Sequence, residues 1–380
     1  MYSIENSIKY LLFLLFSVGI MIPHHWDFGI DIGYLTIYYE EIIVMFLFPL
    51  IILKLLVTLK INKNILYILL LFFIIIFFSI FGLLNANSLI IIFKDIRVIM
   101  EVGIILFAIS LIKLKYQDMI FLQYLIAFSM TIYLFQYLYS FIWETYLMTI
   151  MDEGMSLGLK RIVLDNHVAV LFMLPFIYFM NKKIFIYLFI IIFIISLLSM
   201  KRTDIGLLLI LSLLFIKELN IKYIAIFIFV LILFAIIILN LEFGSRFLNI
   251  MDGSANTRLY GIITSFNDFL EKPLFGYGFG KEMVVTIKNI GGVDLSKNFI
   301  DNSYLTLFVK IGLIGFLLYI SIFIKLIYKE INRSIVVFML LFFSFGFFSA
   351  YMLTGSRMTL YIIPFAYLCV NNFTYTRKKK

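Results

Sequence analysis

The sequence is poor in the residues that shape soluble enzymes. Among 380 residues it has 1 cysteine, 3 histidines and 5 prolines, and only 14% of its residues are charged. With Cys369 as the single cysteine, the chain can form neither an intrachain disulfide nor a cysteine-based metal site. The hydrophobic share is 64%, well above the roughly 45 to 50% typical of soluble domains. A water-soluble fold is therefore excluded.

Polar residues are also missing from the alternating positions that a membrane β-barrel requires. The runs Ile65–Leu84 and Tyr223–Leu239 are apolar at almost every position, whereas barrel strands alternate apolar and polar residues. The sequence therefore predicts an all-α polytopic membrane protein with a single transmembrane domain, residues 1–380. We predict twelve transmembrane helices, several of them short for a full span, at 8–22, 41–59, 65–83, 96–112, 119–141, 162–180, 184–199, 204–216, 223–240, 302–324, 335–351 and 358–370.

Basic residues collect in every second connection between these runs. Lysine and arginine in short loops stay on the cytoplasmic side of a membrane. The connections that share a side with the basic tail 377–380 carry Lys60 and Lys63, Lys113 and Lys115, Lys182 and Lys183, Lys217 and Lys222, and Lys325, Lys329 and Arg333. This pattern predicts an inner-membrane protein with both termini in the cytoplasm.

One long connection, residues 241–301, joins the ninth and tenth predicted helices on the outer side. Connections of this length are either functional or disordered. Apolar residues at helical spacing from Thr257 onward predict a folded segment containing a helix. Gly276, Gly278 and Gly280 predict a tight turn after that helix.

Four arginines lie on the predicted outer side, against the positive-inside trend: Arg202, Arg246, Arg258 and Arg357. The guanidinium group is a permanent cation with a planar fork of donors, which suits a diphosphate. The alternative is that these arginines anchor helix ends to lipid headgroups.

Polar residues also mark the start of the tenth helix. Asp301 or Asn302 is a suitable N-cap, which is the structural explanation for the pair. In the functional interpretation, a carboxylate beside arginines accepts a proton from, or orients, a sugar hydroxyl. Gly312 and Gly315 further along predict close contact with another helix.

Three segments in this order resemble the O-antigen polymerase and O-antigen ligase superfamily, over roughly residues 196 to 320. They are Ser254–Arg258, Glu271–Gly280 and Asp301–Leu305. The resemblance implies a metal-independent, inverting glycosyltransferase of the all-helical membrane (GT-C) type that needs no cofactor. It also implies a site formed by Arg202, Arg258 and the Asp301–Asn302 pair.

Within this resemblance, Asp301, Arg258 and Arg202 are the predicted catalytic residues. The predicted substrate-binding residues are Arg246, Arg357, Asn302, Tyr304, Gly276 and Gly278. Family ligases usually carry histidine where this chain has Asp301, which favours the polymerase branch.

The implied activity is polymerisation of undecaprenyl-diphosphate-linked oligosaccharide units of an O-antigen, capsule or exopolysaccharide on the outer membrane face. The predicted partners are this substrate, membrane lipid, and a chain-length regulator and flippase, with no nucleic acid. Two alternatives stay open. The first is a ligase that transfers polymer to an acceptor. The second is a flippase or transporter, against which the nearly charge-free helices, with Lys310 as the exception, are an argument.

The histidines allow further interpretations. His24 and His25 with Asp27 and Asp31 are either a metal site or, as we favour, part of an interfacial loop. His167 is expected either in a buried polar contact or lining the cavity, and Asp165 is expected to pair with Arg161 or Lys160.

Overall fold

The computed structural model describes residues 2–22, 30–32, 35–58, 63–143, 151–153, 160–162, 166–199, 202–215, 253–287, 293–297, 300, 302–327, 333–346 and 359–376. Twelve helices lie in these residues. They are α1 (Tyr2–Met21), α2 (Tyr39–Thr58), α3 (Lys63–Leu84), α4 (Leu89–Leu111), α5 (Tyr116–Trp143), α6 (Asn166–Met180), α7 (Lys182–Leu198), α8 (Arg202–Phe215), α9 (Gly253–Glu271), α10 (Ser303–Ile327), α11 (Arg333–Gly346) and α12 (Thr359–Thr376).

Three two-stranded antiparallel hairpins lie in the connections. They pair β1 (Ile30–Ile32) with β2 (Leu35–Ile37), β3 (Met151–Glu153) with β4 (Lys160–Ile162), and β5 (Met283–Ile287) with β6 (Val293–Lys297). The last hairpin and α9 lie in the described part of the long connection, which confirms that this connection contains folded structure with a helix over the predicted positions.

Apolar helices of membrane-spanning length confirm an integral membrane protein. Four described helices are long and apolar enough to cross a bilayer by length and composition: Ser3–Met21, Lys63–Leu84, Tyr116–Ser140 and Ser303–Ile327. Shorter apolar helices accompany them at Asn166–Met180, Thr203–Ser212, Ser334–Gly346 and Leu360–Asn371. The predicted helix at 223–240 lies outside the described residues.

Polar contacts show which helix ends lie together. The ends of α1 and α3 and the starts of α2, α4, α6, α8, α10 and α12 are joined by hydrogen bonds and ion pairs, described below, at what we name the loop end. At the opposite end, Lys54 pairs with Glu5 and Lys9 pairs with Asp118, each at 3.1 Å. Helices α1 to α8 therefore alternate in direction through the bundle.

Helix α4 begins earlier than its sequence predicts. The predicted start was residue 96, whereas the structure begins the helix at Leu89. The prediction was wrong because Lys94, Asp95 and Arg97 make this segment look like a loop. Inside the bundle Asp95 and Arg97 are paired with opposite charges from other helices, so the helix continues through them.

Helix α10 is interrupted in its middle. Gly312 has φ 63° and ψ −176°, which is not a helical conformation. In an unbroken helix, Leu313 and Ile314 would donate their N–H groups to the carbonyls of Val309 and Lys310. The break therefore leaves two donors and two acceptors without helical partners.

The segment 273–280, which we name the glycine turn, supplies the replacement partners. It follows α9 directly and lies against the break in α10. Its backbone accepts two hydrogen bonds and donates two: Leu313 N to Pro273 O (2.9 Å), Ile314 N to Leu274 O (3.1 Å), Tyr277 N to Val309 O (2.8 Å) and Gly278 N to Lys310 O (2.7 Å). Because each group left by the break is satisfied, the turn and the interrupted helix form one structural unit.

Candidate functional site

The glycine turn fits a space that admits no larger residue. Gly278 has φ +81°, and a Cβ atom there would lie 2.2 Å from the backbone N of Gly82 on α3. At Gly276 a Cβ atom would lie 2.6 Å from the carbonyl oxygen of Val309. The turn predicted from these glycines is confirmed, and its contacts explain the glycines by close backbone packing. Substrate binding by Gly276 and Gly278 stays a prediction.

The connection between α3 and α4 holds the other side of the glycine turn. The Asn87 side chain donates to the carbonyls of Tyr277 (3.0 Å) and Phe279 (2.9 Å). Asn85 donates to the Tyr277 carbonyl at 3.2 Å and accepts a hydrogen bond from Lys272 Nζ at 2.6 Å. The turn is thus held between α3, α4 and α10.

A buried ion pair lies beneath the glycine turn. Lys310 Nζ of α10 lies 2.5 Å from Asp95 Oδ1 of α4, and both side chains are almost wholly buried. The second carboxylate oxygen of Asp95 accepts the backbone N–H of Gly280 at 2.7 Å. One carboxylate therefore connects α4, α10 and the turn, and neutralises the lysine that the sequence places in mid-helix.

A second pair joins α4 to the start of α2. Arg97 Nε lies 2.9 Å from Glu41 Oε1, and the guanidinium group lies 5.4 Å from the ring centre of Tyr38. The other Glu41 oxygen accepts the backbone N–H of Tyr38 at 3.0 Å. Arg97 is thereby fixed inside the bundle near the loop end, with its side chain 20% exposed.

The neighbouring carboxylate links α2 to α12 and α1. Tyr361 donates from its hydroxyl to Glu40 Oε1 at 3.2 Å. The same hydroxyl lies where a Cβ on Gly19 would be, only 2.0 Å from that position. The absence of a side chain at Gly19 therefore lets the tyrosine reach the carboxylate.

The chain of contacts continues through α1 to α6 and α8. The Asn166 amide donates toward the carbonyls at the end of α1, Gly19 (3.0 Å), Ile20 (3.2 Å) and Ile22 (2.6 Å). Beside it, His167 Nε2 lies 2.8 Å from Asp204 Oδ2, with both side chains fully buried. This confirms the buried polar contact predicted for His167. Asp165 lies outside the described residues.

These contacts are linked through neighbouring residues of α2, α4 and α6 and through Gly19 of α1, and together they form a set that we name the polar layer. It comprises Lys310, Asp95, Arg97, Glu41, Glu40, Tyr361, Asn166, His167 and Asp204. Charges inside a membrane protein are costly unless they are paired, and they concentrate where function requires polarity. The layer ends at the start of α8, two residues from Arg202, and at its other end contacts the glycine turn.

The polar layer corrects one prediction and contains residues that were missed. The prediction of nearly charge-free helices was wrong. Helix α4 by itself contains Asp95, Arg97 and Glu101, and Asp95 and Glu101 are buried. Asp95 and Arg97 were not among the predicted site residues. The available signal was the group of charges that interrupts the apolar run after Leu89. The charge content of the helices therefore gives no reason to exclude a transporter.

Two predicted site residues have defined structural contacts. Asn302 Oδ1 accepts the backbone N–H of Leu305 at 2.9 Å, so Asn302 caps α10, as its sequence position predicts. The Tyr304 hydroxyl donates to the carbonyl of Phe343 on α11 at 2.6 Å. Contact of either residue with substrate stays a prediction.

The remaining predicted residues are described only in part. Arg202 is the first residue of α8, and Arg258 lies in the second turn of α9, but their side chains are outside the described part. Asp301, Arg246 and Arg357 lie outside it altogether, as do His24, His25 and Asp27, while Asp31 is described only as part of β1. Asn302, the residue after Asp301, caps α10 and lies at the loop end.

Fold and site together define an integral membrane protein whose helices converge on a buried polar layer at one end, where a large connection is inserted between α3, α4 and α10. Residues 186–320, about a third of the chain, match the family model Wzy_C, described as O-antigen ligase, and this segment is a Wzy_C family domain. Members of this family are transferases that assemble polysaccharides. The matched segment begins in α7 and ends in α10, so it contains α8, α9 and the glycine turn. Neither the curated proteins nor the solved structures gave a match.

Proposed function

We propose that the protein is a polysaccharide polymerase that joins undecaprenyl-diphosphate-linked oligosaccharide units at the outer face of the inner membrane. The observation that carries the proposal is the family match over residues 186–320, the segment that contains Arg202, Arg258 and Asp301. The polymerase branch is favoured because Asp301 stands where family ligases usually have histidine. Supporting the orientation, Lys54, Lys113 and Lys182 lie toward the end of the bundle opposite the loop end, which fits a cytoplasmic side there.

In the proposed reaction, a hydroxyl oxygen of the acceptor sugar attacks the anomeric carbon of the donor unit. The new glycosidic bond forms as the bond between that carbon and the diphosphate oxygen breaks, so the diphosphate leaves with the bonding electrons. Arg202 and Arg258 stabilise the charge on the leaving diphosphate, with Arg246 and Arg357 as further binding groups. Asp301 orients the acceptor hydroxyl and takes its proton.

The polar layer has a supporting role in this proposal. It connects the start of α8, where Arg202 lies, to the glycine turn. In the sequence, this turn lies between Arg258 and Asp301. Its ion pairs fix the relative positions of these helices, which an enzyme needs because misplacement of a catalytic group by about 1 Å costs roughly 100-fold in rate. Sugar units would bind on the outer side of this layer.

Replacing Arg258 by Ala tests the assigned role. We expect chain elongation to be lost while membrane insertion stays normal, because the variant removes a cation for the diphosphate and leaves the apolar helices unchanged. Arg258→Lys is the matched control, which keeps the charge without the planar fork and should retain part of the activity. Polymer of normal length in cells carrying Arg258→Ala would refute the assignment.

Deletion of the gene in its host distinguishes the alternatives. A polymerase predicts that the polysaccharide ladder disappears and a single repeat unit remains on the lipid acceptor. A ligase predicts that free polymer accumulates on its lipid carrier. Movement of lipid-linked units across vesicles that contain the purified protein and no glycosyltransferase would instead support a transporter.

A further inference from the structure

The glycine turn lies deep along α10. Ser303 begins this helix and Gly312 is the ninth residue after it, about 13 Å further along at 1.5 Å per residue. All 25 residues of α10 extend about 37 Å, so the helix exceeds a hydrocarbon core of about 30 Å by only about 7 Å. With both segments of α10 along the membrane normal, Gly312 would be inside the hydrocarbon even if that whole excess lay at the loop end.

The described part of α9 leads down to that depth. Phe269 of α9 packs on Phe308 of α10 with ring centres 5.2 Å apart, and the glycine turn follows within a few residues. Backbone without helical structure persists at membrane depth only where its polar groups are satisfied, and the turn meets this condition through α10, Asn85 and Asn87. Helix and turn together therefore enter the bundle from the loop end and stop within it.

One face of this segment is apolar and largely exposed. Four of its residues recur at helical spacing in α9 and two follow in the glycine turn, with exposed fractions from 41% to 56%: Leu259, Ile263, Phe266, Leu270, Leu274 and Phe275. We name them the α9 stripe. Lipid or another part of a protein must cover this apolar surface, because a contiguous apolar patch is disfavoured in water.

The neighbouring surface identifies the medium. Phe275 packs on Phe81 of α3, with ring centres 6.2 Å apart. The outward face of α3 beside it is formed by exposed apolar residues of a membrane-spanning helix, among them Phe77 and Ile80. On the other side Leu313 and Leu317 of α10 are exposed in the same way. The lower end of the α9 stripe thus adjoins the lipid-facing surfaces of two spanning helices.

We propose that the segment 259–280 is a re-entrant helix and turn, and that the α9 stripe is covered by the acyl chains of the membrane leaflet at the loop end. The long connection is then not a purely aqueous loop. Its helix is held by lipid on one face and by α10 on the other, independently of whether the enzyme acts as a polymerase or a ligase.

Fluorescence quenching from within the lipid tests this proposal. Single cysteines are introduced by Leu270→Cys and Leu274→Cys and labelled with an environment-sensitive fluorophore, and the full chain is placed in phosphatidylcholine vesicles with nitroxides on the acyl chains. Leu317→Cys on α10 is the matched lipid-facing control, and Gln117→Cys, an exposed position beside Lys115 at the opposite end of the bundle, is the aqueous control. The native Cys369 is buried, and unmodified protein measures any label it takes up.

We expect the labels at Leu270 and Leu274 to lose most of their fluorescence to the acyl-chain nitroxides, as the Leu317 label does. A water-soluble quencher present on both sides of the membrane should act only on the Gln117 label. The proposal is overturned if the Leu270 and Leu274 labels respond to the aqueous quencher like the Gln117 label. It is equally overturned if neither quencher reaches them, since a protein partner or a second copy of the chain would then cover the stripe.

Discussion

Replacing Gly312 by Ala should release the glycine turn from α10. At φ 63° and ψ −176°, a region that is essentially restricted to glycine, an alanine costs about 1–3 kcal/mol more than glycine. In the alternative, unbroken helix alanine is favoured over glycine by about 1 kcal/mol. Conformational preference alone thus shifts the equilibrium by about 2–4 kcal/mol toward a continuous α10, which is roughly 30- to 700-fold. The true shift is larger, because the added Cβ would lie 2.3 Å from the carbonyl oxygen of Leu274.

Limited proteolysis measures this release. Trypsin cleaves after lysine, and Lys272 and Lys281 border the glycine turn, so a released turn should be cut faster in purified protein. Gly206→Ala in α8 is the matched control, because a Cβ there meets nothing within 4 Å. Cells carrying Gly312→Ala should also show shortened polymer. If the Gly312→Ala protein is cut at the wild-type rate and its polymer keeps its normal length, the reasoning about the interrupted helix is refuted.

Two buried pairs of the polar layer give further predictions. Lys310→Met leaves Asp95 without its cation and should cost about 3–5 kcal/mol of stability in thermal unfolding in detergent, whereas adding Asp95→Asn should recover part of that loss. Equal losses in the single and double variants would contradict the pairing. Asp204→Asn removes the charge beside His167 and should lower stability by about 1–3 kcal/mol in the same assay while insertion remains normal. An unchanged melting temperature would show that this contact contributes nothing.

The long helices could be predicted from sequence because their apolar runs meet a simple length requirement of the bilayer. The start of α4 could not, since Asp95 is paired in the helix by Lys310, which is 215 positions further along the chain. Local sequence does not reveal such a partner. The glycines at 276, 278 and 280 predict a turn, but its insertion into α10 depends on Gly312, for which the sequence predicts only a close helix contact.

Some residues of the candidate site could likewise be predicted from the sequence, and others could not. Arg202, Arg258 and Asp301 could be proposed because motif spacing marks them, and their roles stay predictions. Asp95 and Arg97 act through contacts between helices that hydropathy does not encode, and only the three-dimensional arrangement brings them next to the glycine turn and α2. Polar residues in an otherwise apolar helix were nevertheless a usable signal.

Elongation by the purified protein is the most direct test of polymerase activity. The full chain is placed in vesicles with lipid-linked oligosaccharide units and a chelator of divalent metals, and the products are separated by length. We predict a ladder that grows one repeat unit at a time, without metal, and that is absent with Arg258→Ala. Transfer of preformed polymer to an acceptor with no growth of the lipid-linked units would contradict polymerase activity.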